Sequence, residues 1–220
     1  MSPCCWRGTF FRQPRRPGGD SGLAQNGTMN AATISSEITE PGSGFALFDT
    51  AIGACALAWG PHGLIGVQLP EDNGETATRA RMRRRFPDLP EAPPPESAQR
   101  AIAAVQALLE GTSDNDLSDI VLDMSAVSEF HQRIYAIARR IPPGQTRTYG
   151  EIATELGDKG LSRAVGQAMG HNPFAPVVPC HRVLAAGNKP GGFSAGGGAL
   201  TKLRMLDIEG ARPNGMASLF

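Results

Sequence analysis

Three short apolar segments separated by glycine-containing turns lie between residues 45 and 69, and they constrain the fold of this chain more than any other feature. The segments are Phe45–Thr50, Ala54–Trp59 and Leu64–Leu69. Short apolar runs bounded by turn residues are typical of β-strands, and strands joined by tight turns pair antiparallel. The sequence therefore predicts a three-stranded antiparallel meander.

Helical patterns with a proline-rich break follow these strands. Thr76–Phe86 has a helical pattern, and a charge run on a short helix is typical of a solvated face. The arginines in this run are Arg79, Arg81, Arg83, Arg84 and Arg85. Pro90–Pro95 indicates a turn or linker. Glu96–Glu110 is rich in alanine with apolar residues at helical spacing, which predicts an amphipathic helix ending at Gly111. We expect one more strand at Asp119–Met124.

From Ser128 onward the apolar spacing is mostly helical. A first helix stops before Pro142 because proline cannot continue a helix. Its buried face is predicted to consist of Phe130, Ile134, Ile137 and Ala138.

Two further helices are predicted from capping residues. Thr148 and Glu151 have the spacing of a capping box, and Gly157 ends the helix that they begin. Ser162 is predicted to cap the next helix, whose apolar positions are Ala164, Val165, Ala168 and Met169. Two short helices joined by a glycine-containing turn are typical of a helix-turn-helix, although many packed helix pairs have the same pattern.

Composition divides the chain into four parts. Residues 1–42 are rich in Gly, Pro, Ser, Asn and Arg, which predicts a disordered leader, although a misplaced start codon would give the same pattern. Residues 43–126 are predicted to form an N-terminal α/β domain. Residues 127–212 are predicted to form a mostly helical domain, followed by a tail at 213–220. The expected fold class is α+β.

Charge gives only a weak indication of nucleic-acid binding. Lys and Arg total 21, as do Asp and Glu, so the net charge is zero and a highly basic nucleic-acid binder is excluded. Residues 128–171 nevertheless carry a small positive excess, which is compatible with a small DNA footprint.

Cysteine spacing and hydropathy predict a cytoplasmic protein. No apolar run reaches the roughly 18–20 residues of a membrane span, and the N-terminus lacks the apolar core of a signal peptide. The cysteines are Cys4, Cys5, Cys55 and Cys180, and their spacing fits neither a disulfide framework nor a zinc site. We therefore expect no required metal.

The segment around Cys180 carries the chemistry. Pro179 fixes its own φ and favours extended geometry at Val178, so Cys180 is predicted to be held rigidly. The imidazole of His181 could promote the thiolate, which is the nucleophilic form. Because neighbouring side chains of an extended chain point to opposite faces, we expect a water relay or a local turn between them. A buried thiol beside a core histidine is the alternative interpretation.

The motifs HNP, PCHRV and GGFS, in this order, resemble the O6-alkylguanine-DNA alkyltransferase family. The resemblance covers residues 130–210, with a weaker match over residues 44–125. It implies a small ribonuclease-H-like α/β domain followed by a winged-helix-like domain with a helix-turn-helix. It also implies irreversible transfer of an alkyl group from O6-alkylguanine in double-stranded DNA to Cys180, by a monomer without a cofactor. The resemblance leaves open whether O4-alkylthymine is a second substrate.

The resemblance also implies the reacting groups. Cys180 is the acceptor thiolate, His181 the general base acting through a water, and Glu209 the carboxylate that orients the imidazole. The loop after Phe193 is longer than in some relatives, so Asp207 competes with Glu209 for that role. Asn172 braces the turn before the active-site loop.

Other residues are implied to bind DNA or the flipped base. Tyr149 contacts the target phosphate and protonates the departing guanine, and Arg163 fills the gap that the extruded nucleotide leaves. The predicted DNA-contact set also includes Ala164, Gly166, Gln167 and Arg182. Ser194, Phe193 and Val183 are implied to hold the guanine. Extrusion is required because the alkylated O6 lies inside the duplex.

Three other functions remain open at this point. A non-catalytic relative binds alkylated guanine, but such proteins lack the acceptor cysteine. A cysteine hydrolase using Cys180 and His181 predicts multiple turnover and needs an oxyanion hole. A transcription regulator would use the helix-turn-helix alone.

Overall fold

The computed structural model describes residues 42–212, apart from the side chain of Asn188. The predicted leader, except for Gly42, and the predicted tail lie outside the described residues. The fold has mixed α and β content, as expected.

The predicted meander is confirmed. Strands β1 (Gly44–Thr50), β2 (Gly53–Gly60) and β3 (Gly63–Gln68) form an antiparallel sheet in the order β1-β2-β3. Gly53 and Gly63 both have positive φ, at the two turns where a residue with a Cβ is disfavoured. The outer edge of β3 is left without a strand partner in this sheet.

The two predicted N-terminal helices are confirmed, and they cover opposite faces of the sheet. Helix α1 spans Gly74–Arg85, and helix α2 spans Glu96–Leu109. Because successive strand side chains alternate between faces, Ala56 and Ala58 pack with Met82 of α1. Residues of the opposite face join the main core with α2; these are Cys55, Leu57 and Trp59.

The predicted strand at Asp119–Met124 is wrong. This segment meets the sheet at a single bridge between Leu64 and Leu122. Val121 accepts a hydrogen bond from the Leu64 N–H but leaves its side chain 67% exposed. The pairing does not continue past this bridge, because the chain turns away at Asp123, whose side chain accepts from the Ser125 N–H.

Four helices follow. Helix α3 spans Glu129–Ala138, α4 spans Tyr149–Glu155, α5 spans Ser162–Gly170 and α6 spans Ala199–Ile208. The predicted capping box is confirmed, since Thr148 Oγ1 accepts from the Glu151 N–H while Glu151 Oε2 accepts from the Thr148 N–H. The predicted Ser162 cap is wrong, because its hydroxyl donates to the Lys159 carbonyl of the preceding turn.

A short parallel pair, not predicted from the sequence, connects the start of α4 with the segment after Cys180. Strand β4 (Arg147–Thr148) pairs with β5 (Val183–Leu184). This pairing brings Tyr149, the first residue of α4, beside the Cys180 segment. Within residues 42–212, no helix combines the length and apolar character that a membrane crossing needs.

Candidate active site around Cys180

Cys180 begins a short 3-10 turn, Cys180–Arg182, and its side chain is buried with 6% of the residue exposed. A local turn was one of the two arrangements expected between Cys180 and His181, and in it the side-chain alternation of an extended chain does not apply. Burial raises the pKa of the Cys180 thiol, while a hydrogen bond from Asn172 and the charge of Lys202 act to lower it. The thiol is therefore protonated at rest, and a base must act during any nucleophilic step.

Asn172 braces the chain that leads to Cys180. Its amide Nδ2 donates to the Val178 carbonyl at 2.7 Å, and its Oδ1 accepts from the Phe174 N–H at 2.9 Å. One side chain thus fixes both ends of the segment between the end of α5 and the thiol. This arrangement matches the bracing role expected for Asn172.

His181 and Glu209 form a buried pair. His181 Nε2 lies 2.9 Å from Glu209 Oε1, and the imidazole is fully buried. Burial lowers the pKa of His181 although Glu209 opposes this, so the ring is neutral near pH 7. A neutral ring that donates from Nε2 has a bare Nδ1. That atom is buried and has no hydrogen-bond partner among the described residues, so its lone pair is available to accept a proton.

Glu209 is held as a carboxylate. Burial raises the pKa of its carboxyl, but His181 and Arg182 together outweigh burial and leave the pKa at about 2. Of the two candidate carboxylates, Glu209 is the one that contacts His181, and it belongs to the end of α6.

The structure corrects the role expected for Arg182. Its residue is 1% exposed, and Nε and Nη2 donate to Glu209 at 2.9 and 2.7 Å. Nη1 donates to the Ile141 carbonyl at 2.7 Å. A guanidinium occupied in this way cannot reach a phosphate, so the predicted DNA contact of Arg182 is wrong. Arg182 instead orients Glu209.

Lys202 is a site residue that the sequence reasoning missed. Its side chain is fully buried, and Nζ donates to the Val183 carbonyl at 2.7 Å. Nζ also lies 5.9 Å from the ring centres of Tyr149 and Phe193. Burial lowers the pKa of Lys202 to about 8. The seven-residue spacing of Lys202 and Glu209 indicates a shared helix face but does not indicate that Lys202 is buried.

Two of the predicted base-binding residues, Val183 and Phe193, lie beside Lys202. Val183 is buried and Phe193 is half-buried. The Tyr149 hydroxyl lies against Gly191, where an added Cβ would stand 3.3 Å from it. Burial, and then Cys180, raise the pKa of Tyr149, which keeps the phenol protonated. Ser194 is exposed in the loop before α6.

The predicted DNA-contact residues of α5 lie on an open helix face. Arg163 and Gln167 are exposed, whereas Ala164 is half-buried. An added Cβ at Gly166 would meet nothing within 4 Å. Ala168, on the opposite side of α5 and outside the predicted set, is buried, and its carbonyl accepts from the Tyr135 hydroxyl of α3 at 2.9 Å.

Comparison with known proteins gives one consistent family. The sequence model described as "6-O-methylguanine DNA methyltransferase, DNA binding domain" matches residues 129–211. A methylated-DNA–protein-cysteine methyltransferase of Mycobacterium bovis is 45% identical over 102 residues, which is 46% of this chain and 60% of the relative. The match thus spans 60% of that relative's length, which is less than two thirds. A DNA base-flipping protein of Thermus thermophilus is 41% identical over 134 residues, 59% of this chain and 87% of that protein.

Similarity to solved structures indicates the same family as the sequence comparisons. The crystal structure of Mycobacterium tuberculosis O6-methylguanine methyltransferase is 34% identical with a TM-score of 0.61, covering 76% of this chain and 93% of that one. The M. tuberculosis protein named OGT, in complex with DNA, is 32% identical with a TM-score of 0.59, covering 76% and 92%. The chain belongs to the O6-methylguanine DNA methyltransferase family.

Proposed function

We propose that this protein repairs DNA by moving the alkyl group of O6-alkylguanine irreversibly onto Sγ of Cys180. The observation that carries the proposal is the buried set of Cys180, neutral His181 and ionised Glu209 in one turn and one helix end. A nucleophile, a base and a group that orients the base are the parts that covalent catalysis requires.

The proton transfers follow from the states of these groups. His181 Nδ1 accepts the thiol proton through a water, and Glu209 stabilises the imidazolium that forms. The sulfur then attacks the alkyl carbon while the bond between that carbon and O6 breaks. Tyr149, kept protonated by burial, supplies a proton to the departing guanine and regains one from the imidazolium through solvent. In sum the alkyl group passes to sulfur and the thiol proton to guanine.

The thioether has no hydrolytic step, so each molecule reacts once. The positive charge of Lys202, which is present below about pH 8, favours the thiolate of Cys180.

The burial of Cys180 requires that the base leave the duplex. A base stacked inside the duplex cannot reach a thiol in a residue that is only 6% exposed. The target nucleotide must therefore rotate out of the duplex into the site, which costs a few kcal/mol. We assign the open face of α5 to the DNA, with Arg163 filling the gap in the stack. Ser194, Phe193 and Val183 are proposed to contact the flipped base. The M. tuberculosis relative was solved with DNA, which supports DNA as the partner.

A second candidate is recognition of a flipped base without transfer. The similarity to the Thermus thermophilus DNA base-flipping protein favours it. Cys180 with its base and carboxylate favours transfer, because a protein that only senses damage has no need of a nucleophile.

Finer features of the protein are also proposed. We infer a ribonuclease-H-like α/β domain over residues 43–126 and a winged-helix-like DNA-binding domain over residues 127–212; the family match at 129–211 supports the second. We further propose a cytoplasmic monomer that acts on double-stranded DNA, with O4-alkylthymine as an open second substrate.

Counting turnovers separates these functions. Duplex with a radiolabelled O6-methyl group is supplied in tenfold excess, and protein-bound label is followed to completion. Transfer predicts label that stops at one methyl per protein. Released methanol with continuing turnover would indicate a hydrolase, and tight binding without label on the protein would indicate a sensor.

A further inference from the structure

Arg85 departs from the solvated arginine face expected for α1. It is the last residue of that helix, and its half-buried side chain lies on the outer edge of β3. Nη1 donates to the Val67 carbonyl at 3.0 Å, and Nη2 donates to the Pro173 carbonyl at 2.9 Å. The Val67 N–H donates to the same Pro173 carbonyl at 2.8 Å. Arg85 thus completes the hydrogen bonds of a sheet edge that has no further strand.

This contact leaves a half-buried cation without an anion. Within residues 42–212, no carboxylate lies within ion-pair distance of Arg85, whereas its neighbours Arg79, Arg81 and Arg83 all pair with glutamates. Burial, and then the charge of Arg81, lower the pKa of Arg85 to about 10. The guanidinium also stacks over Phe86 at 5.0 Å from the ring centre. An unpaired cation in this setting is costly, and the two carbonyls are what stabilise it.

The Pro173 carbonyl, which accepts a hydrogen bond from Arg85, belongs to the turn that precedes the Cys180 segment. Pro173 directly follows Asn172, whose side chain donates to the Val178 carbonyl and accepts from the Phe174 N–H. The Val178 carbonyl that accepts from Asn172 also accepts from the Cys180 N–H at 2.8 Å. The chain of contacts therefore runs from the end of α1, through Pro173, to the environment of the sulfur.

We propose that Arg85 is a positioning residue for alkyl transfer, which fastens the Asn172–Phe174 turn to β3 and so fixes the Asn172 amide beside Cys180. This inference rests on the proposed function, because it takes Cys180 as the alkyl acceptor. It gives the N-terminal sheet and α1 a direct part in the reactivity of a thiol that lies in the C-terminal half.

The test compares three variants of the full chain. Arg85→Ala removes both hydrogen bonds, and Arg85→Lys keeps the charge but reaches only one carbonyl at a time. Arg84→Ala is the matched control, because Arg84 is the exposed neighbour on the same helix. Each protein is assayed for the single-turnover rate of methyl transfer and for the final amount of methyl bound. The pH dependence of Cys180 alkylation by iodoacetamide is read by peptide mass spectrometry.

We expect Arg85→Ala to transfer about 10- to 100-fold more slowly than the wild type, a size typical of misplaced reacting groups. The final methyl per folded molecule stays at one, and the alkylation of Cys180 shifts to higher pH. Arg85→Lys recovers part of the rate, and Arg84→Ala matches the wild type.

Unchanged transfer rate and alkylation profile in Arg85→Ala would overturn the proposal. So would a lower final methyl level at an unchanged rate constant, since that result means only a smaller folded fraction. If Arg85→Ala does not fold, Arg85→Lys decides by the same two readouts. If the wild type accepts no methyl group, the proposed function fails, while the alkylation profiles still test the link from Arg85 to Cys180.

Discussion

His181 Nε2 lies 2.9 Å from Glu209 Oε1 in a place where the imidazole has no contact with solvent. The same carboxylate accepts two hydrogen bonds from Arg182. One buried anion therefore fixes the tautomer of the base and balances a buried cation. The properties of this pair lead to the first two predictions.

Glu209→Gln is expected to destabilise the protein by about 3–5 kcal/mol, because it leaves the buried Arg182 charge unpaired. Glu155→Gln is the control, since Glu155 pairs with Arg140 and Arg147 at the surface. This substitution should lower the free energy of unfolding by less than about 1 kcal/mol. Urea unfolding measures both. Equal small losses would show that Arg182 does not depend on Glu209.

The same pair sets a pH dependence of stability. The folded pKa of Glu209 lies at about 2, below its ordinary value of 4.5, so its stabilising effect is present above pH 4.5 and is lost as pH falls towards 2. Because the folded pKa of His181 is also lowered, the protein loses further folding stability as pH falls below 6.5. In Glu209→Gln the loss between pH 4.5 and 2 should shrink, which urea midpoints across pH can check.

His181→Gln is expected to slow single-turnover transfer by about 10²- to 10⁴-fold, the range for loss of a general base. Raising the pH should recover part of the rate, because the thiol then ionises without a base. His62→Gln, in the exposed β2–β3 turn, is the control and should react as the wild type does. A loss of less than threefold in His181→Gln would remove His181 from the reaction.

Lys202→Met should make Cys180 less acidic and slow transfer by about tenfold, since the lysine charge acts to lower the pKa of the thiol. Iodoacetamide alkylation of Cys180 across pH measures this shift directly. Because the pKa of Lys202 is about 8, the wild type should lose this assistance as pH rises above 8. The exposed Lys189→Met is the control, and a profile of Lys202→Met that coincides with it would contradict the prediction.

Local sequence signals predicted most elements of this fold. The three strands, α1, α2 and α3 follow from turn residues, periodicity and end signals that each act over a few residues. The β4–β5 pair was missed because two strands of two residues leave no pattern, and their pairing joins distant parts of the chain. The strand expected at Asp119–Met124 failed for the related reason that a short apolar run does not reveal whether a partner lies alongside.

Some residues of the candidate site could likewise be predicted from the sequence, and others could not. Cys180, His181 and Glu209 could be placed by the order of motifs, and the structure brings the last two into contact. Arg182 and Lys202 could not, because a charged residue in a sequence is normally expected at the surface. Their burial depends on carbonyls of Ile141 and Val183 that only the folded chain brings near.

Arg163→Ala should slow transfer from duplex DNA by about tenfold, because the gap left by the extruded base, which costs a few kcal/mol, is no longer filled. Transfer from a single-stranded oligonucleotide should change less than twofold, since no stack has to be opened. Arg100→Ala on α2 serves as the control for loss of one positive charge. Equal losses on both substrates would show that Arg163 acts on binding in general.

The most direct test of the account is the mass of the intact protein after incubation with a duplex carrying one O6-methylguanine. The account predicts a gain of one methyl group, located on Cys180 by peptide mass spectrometry, stopping at one equivalent and absent from Cys180→Ala. No gain in mass while the protein stays bound to the lesion, or a methyl group on another residue, would contradict it.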